Sequence, residues 1–122
     1  MQHVLVIQLA RFGDLVQTKR LLLSLAARAR VHLCLDASLA PLARLLYPWA
    51  VLHPLTAHGT GLAKAGTGAV LQAMLGQNRK IFSELANQDF AEVFNLNRSP
   101  LNLALAALFD PELVREIGRA HV

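Results

Sequence analysis

Apolar residues follow two rhythms along the chain. Val4 to Leu9, VLVIQL, is almost unbroken, as expected for a central parallel strand covered on both faces. The rhythm changes at Arg11-Phe12-Gly13. From Asp14 onward Leu15, Leu22, Leu25, Ala26 and Ala29 recur at helical spacing, with Gln17, Arg20, Ser24 and Arg28 on another face, which predicts one amphipathic helix. Val31 to Leu35 reads as a second strand and Ser38 to Tyr47 as a short helix with Pro41 near its start. Trp49 to Leu55 reads as a third strand, with Pro54 confined to its end because proline cannot donate to a sheet ladder.

Thr56 to Gly68, TAHGTGLAKAGTG, holds four of the seven glycines and no periodicity, which predicts a mobile loop. Helical spacing resumes from Ala69 to Ala86 through Leu71, Met74, Leu75, Phe82 and Leu85. Gly76 inside it costs about 1 kcal/mol relative to alanine and marks an expected weak point. Phe90 to Leu96 is the next strand, and Ser99-Pro100 forms a helix start, serine as cap and proline at the first helical position. The helix Leu101 to Phe109 is apolar nearly all round, so it needs cover on more than one side, from this domain or from outside it. Leu113 to Ile117 begins a last strand. Strands alternating with helices predict an α/β fold, a Rossmann-like parallel sheet flanked by helices. At 122 residues, residues 1–122 are expected to form one domain around one core.

Composition narrows the function. Apolar residues make up 54% of the chain, yet none of its apolar runs approaches the ~20 residues of a membrane span. The start, Met1-Gln2-His3 followed at once by Val4, lacks the basic region and cleavage site of a secretory signal, so a cytoplasmic location is expected. A formal charge of +4 favours anionic partners. Nucleic acid is disfavoured, because basic residues are scattered and aromatics do not interleave with them. Cys34 is the single cysteine and sits in an apolar run, which predicts a buried thiol without redox chemistry. The five histidines stand far apart, none at metal-ligand spacing, and His3, His32 and His53 fall at or inside strands, where a structural role is expected. The turn after the first strand carries one glycine, Gly13, where a dinucleotide fingerprint needs three.

Asp14, directly after that turn, reads two ways. As a cap it accepts from first-turn N–H groups, with Gln17 three residues on completing a capping box. As a functional group it presents a carboxylate, kept ionised by the helix dipole, to a substrate. Arg11, Lys19 and Arg20 flank it and suit phosphate or carboxylate groups, or form a solvated surface. Arg98 and Ser99 follow a strand, at the edge where open α/β sheets bind ligands.

The stretch VLVIQLARFGDLVQT resembles the N-terminal signature of the heptosyltransferase-like glycosyltransferases, family nine: an apolar strand, a Gly-Asp pair, a hydrophobic residue and a threonine one turn later, here Gly13, Asp14, Leu15 and Thr18. FAEVFNLN followed by Arg98 and Ser99, and VREIG at Val114 to Gly118, are similar to later landmarks of that family in the same order. Two positions depart from it: Arg20 stands where the family has proline, and Asn95 where it has an acidic residue.

The resemblance implies the N-terminal, acceptor-side half of a two-domain GT-B enzyme, with the donor-binding domain outside this chain. Asp14 would be the general base of an inverting transfer of a heptose-like sugar to a lipopolysaccharide-core or related glycolipid. Arg11, Gly13, Thr18, Lys19, Arg20, Asn97, Arg98 and Ser99 would line the acceptor. No metal and no cofactor are implied, the nucleoside diphosphate sugar being a donor substrate held mainly by the second domain. A chain of this extent alone would be inactive, would meet the inner membrane peripherally, and would self-associate through surface its second domain covers. The alternative is a truncated or degenerate α/β module that binds a partner without catalysis.

Overall fold

In a computed structural model the described residues are 2–9, 12–56, 76, 78–97 and 100–116, with the side chains of 12–14, 100 and 101 left aside. They form an α/β domain around a five-stranded parallel sheet. In chain order the elements are β1 (His3–Gln8), α1 (Phe12–Gln17), α2 (Lys19–Ala26), β2 (Arg30–Asp36), a 3₁₀ turn (Ala37–Leu39), α3 (Ala40–Leu46), β3 (Val51–Leu55), α4 (Arg79–Ala86), β4 (Phe90–Asn95), α5 (Pro100–Ala106) and β5 (Val114–Glu116). The strand order is β3-β2-β1-β4-β5. This is the doubly wound order in which the chain runs outward from β1, returns, and continues on its other side.

Alternation along β1 explains its unbroken apolar run. Val4 and Val6 face one core with Leu15, Leu22, Leu25, Val31, Leu33, Leu35, Ala43 and Tyr47, beneath α1 to α3. Leu5, Ile7 and Leu9 face the other with Cys34, Leu55, Phe82, Leu85, Val93, Ala104 and Leu105, beneath α4 and α5. A strand covered on both sides has no solvent face to mark with polar residues. Each aliphatic side chain removed from water stabilises the fold by roughly 1.5–3 kcal/mol before chain entropy is counted.

Several expectations change in detail. The single helix from Asp14 is two helices meeting at Thr18, and Ala29 reaches the core from beyond the end of α2. The elbow is fixed by Tyr47, whose buried hydroxyl donates to the Leu15 carbonyl at 2.7 Å, one of the last four carbonyls that α1 cannot satisfy internally. Loss of water around that phenol pushes its pKa up. The helix expected over Ser38 to Tyr47 starts as a 3₁₀ turn, because buried Asp36 accepts from both the backbone N–H and the hydroxyl of Ser38. Pro54 pairs with Leu35 on β3, the edge strand that tolerates a missing donor.

In β4 the register slips, Phe90 opposite His3 but Glu92 opposite Val4. This bulge at Ala91 reverses the parity, so Phe90 and Val93 share the α4–α5 core while Glu92 reaches across to Arg28 at 3.0 Å. The helix expected over Leu101 to Phe109 is shorter, Pro100–Ala106. Its polar Asn102 is fully buried while Leu103, and Leu108 just beyond the helix, are exposed. The loop expected from Thr56 to Gly68 lies outside the described residues from 57 on, as do residues 69–75 of the next helix and Ile117 of the last strand.

Candidate functional site

A parallel sheet of this order has one place where the loops after adjacent strands leave toward opposite faces. Here it lies between β1 and β4. The chain after β1 passes to α1, on the first face, and the chain after β4 passes to α5, on the second. In doubly wound folds such a switch point, at the carboxyl ends of the two strands, is the crevice where ligands bind.

The sequence puts a buried amide at the end of each strand. On β1, Gln8 is 5% exposed; its Nε2 donates to the buried Thr18 hydroxyl at 3.2 Å, and its Oε1 has no partner among the described residues. On β4, Asn95 is 2% exposed. Its Oδ1 accepts from Asn102 Nδ2 at 2.9 Å, its own Nδ2 has no partner among the described residues, and the same Asn102 nitrogen lies 3.2 Å from the Ile7 carbonyl. Such buried orphan atoms are uncommon, since each forfeits about 1–3 kcal/mol of hydration. The two amides tie the end of β1 to the α1–α2 elbow, and β4 to α5.

Around this crevice the residues singled out by sequence take up different positions. Gly13 and Asp14 fall in the first turn of α1, immediately after the central strand. The helix starts at Phe12, so the capping-box reading, with Asp14 ahead of the helix, is corrected: Asp14 is the third helical residue and Gln17 the last. Thr18 is buried in the elbow against Gln8. Lys19 and Arg20 open α2, exposed and without an ion pair among the described residues. Asn97 is half-buried just beyond β4. Arg11, Arg98 and Ser99 lie outside the described residues.

Sequence reasoning missed the Gln8, Asn95 and Asn102 contacts; a polar residue inside an otherwise apolar run was the available signal. It also took the histidines as isolated, whereas the sheet register brings His3, His32 and His53 into one hydrogen-bonded row. Among the described residues no group of three or more metal-ligating side chains is placed to hold an ion. Comparison of the chain with protein-family models, curated proteins and solved structures finds no match.

Proposed function

We propose that this domain is the acceptor-side half of an inverting glycosyltransferase similar to the heptosyltransferases, moving a heptose-like sugar from a nucleoside diphosphate sugar to an anionic lipopolysaccharide-core or related glycolipid. The observation that carries the reading is the position of Gly13-Asp14: the first turn after the central strand, beside the β1/β4 crevice. Glycine lets a substrate approach the backbone closely. Asp14 takes the proton of the acceptor hydroxyl as that oxygen attacks the anomeric carbon, and the nucleoside diphosphate leaves from the opposite face, which inverts the centre. Lys19 and Arg20, with Arg11 and Arg98, bind the acceptor's phosphate or carboxylate groups, and Asn97 and Ser99 its hydroxyls. The donor is held by a second domain, and work on a glycolipid places the enzyme at the cytoplasmic side of the inner membrane.

The test is Asp14→Asn in the enzyme carrying both the acceptor-side and donor-binding domains. Turnover is expected to fall ~10²–10⁴-fold, the usual contribution of a general base. Stability is expected to drop by less than about 1 kcal/mol, the size of a first-turn charge–dipole term. Near-normal turnover in a folded variant removes the base assignment.

A further inference from the structure

Far from the crevice, on the second face of the sheet, three imidazoles and one carboxylate form a continuous row. His3 Nδ1 lies 2.8 Å from His32 Nε2, His32 Nδ1 lies 2.8 Å from His53 Nε2, and His53 Nδ1 lies 3.2 Å from Glu84 Oε1. The row crosses β1, β2 and β3 and ends on α4. His32 and His53 are each 5% exposed, whereas both ends reach solvent. The ring planes of His32 and His53 lie within 11° of each other, and Phe90 of β4 meets His32 edge-on at 5.0 Å. Among the described residues, the charged and titratable groups facing the row are Arg30 on β2, which acts on His32, Glu84 on α4, and the neutral thiol of Cys34 in the same core.

Hydrogen counting fixes the row's direction. The Glu84 carboxylate accepts, so His53 Nδ1 carries a proton; the neutral ring then accepts at Nε2, so His32 Nδ1 carries the next, and His3 Nδ1 the last. All three neutral rings are the Nδ1–H tautomer, and the lone pair left over is at His3 Nε2. A proton added there is accommodated without breaking a contact. His3 and His32 each pass on the Nδ1 proton and become Nε2–H tautomers, and the charge arrives on His53, which keeps its Nδ1–H toward Glu84. A further proton on the imidazoles forces two N–H groups to face each other in one contact.

We propose that His3, His32, His53 and Glu84 are a proton-responsive clasp, a directional wire that joins β1, β2, β3 and α4, accepts one proton as a unit, and opens on the next. Burial supports this, pulling His32 and His53 below the ordinary imidazole range while Glu84 partly offsets the effect at His53.

The experiment is nitrogen-15 NMR of the imidazoles in the intact chain as a function of pH. Above pH 7 three Nδ1–H tautomers are expected, and on acidification the ring signals are expected to change together with a total uptake of one proton before the fold is lost. Three independent titrations, or an Nε2–H tautomer at His32 above pH 7, overturn the proposal. His3→Gln removes the outer acceptor at the half-exposed end, where folding is least at risk, and is expected to abolish the joint one-proton change of His32 and His53. A joint change that persists overturns it equally.

Discussion

Both faces of the sheet are packed with aliphatic side chains, yet they differ in the polar groups buried among them. Beneath α1 to α3 the polar contacts sit at the carboxyl end, where Gln8 meets Thr18 and Tyr47 meets the Leu15 carbonyl. Beneath α4 and α5 they run through the body of the core, from the imidazole row to Asn95 and Asn102. The first arrangement holds the α1–α2 elbow to the end of β1. The second joins elements remote in sequence through groups that either titrate or demand partners, so environment-dependent stability is concentrated on one side of the molecule.

The largest expected difference between the faces is in acid. An unfolded imidazole protonates near 6.5, whereas His32 in the fold resists until about 4, chiefly because it is buried and then because His53, His3 and Arg30 repel its charge. Between those values the unfolded chain binds the extra proton. Stability is therefore full above about pH 6.5 and falls as pH drops toward 4, by roughly 3 kcal/mol at most. His53 acts in the same direction. Urea unfolding at pH 7.5 and 5 measures the loss. Tyr47→Phe, on the first face, is expected to lower stability by about 1 kcal/mol at both pH values and leave the difference between them unchanged.

Buried amides sharpen the contrast further. Asn102→Leu deprives Asn95 of its partner and is expected to cost about 1–3 kcal/mol, whereas Asn95→Leu with Asn102→Leu is expected to cost less than the sum of the single changes. Thr18→Val at the first face removes the acceptor of Gln8 and belongs in the same cycle of unfolding measurements. Strictly additive effects at Asn95 and Asn102 contradict their coupling.

The smallest effect is expected at Gly76, which is helical and exposed. A Cβ built there meets nothing within 4 Å, so Gly76→Ala is expected to raise the unfolding free energy by about 0.4–1 kcal/mol. Thermal melts of the two proteins read it directly.

Period alone revealed most of the sheet, because β1 and β2 are apolar on both sides and the strand of Phe90 to Asn95 is flanked by clear breaks. It could not show the elbow at Thr18, where neither glycine nor proline interrupts the helical spacing and the break is held by contacts from β1 and from Tyr47, just after α3. Nor could it show the bulge at Ala91, which depends on pairing with His3 and Val4. His3, His32 and His53 are separated by 29 and 21 residues, and only strand register makes them neighbours. A trace of their role was present, since each lies two residues before an inward apolar side chain, Leu5, Cys34 and Leu55. Of the candidate site, the Gly13-Asp14 turn was legible because a strand ending in a helix start fixes it locally. The amides of Gln8 and Asn95 were not, because their importance comes from partners in other elements.

The most direct test of function at the carboxyl edge is a backbone amide NMR titration of the chain with a soluble anionic fragment of a lipopolysaccharide-core acceptor. Saturable shifts at Gly13, Asp14, Lys19, Arg20 and Asn97, with His3, His32 and His53 unmoved, are the expected result. Shifts that avoid the first turn of α1 and the end of β4, or that fall on the imidazole row instead, contradict acceptor binding at this edge.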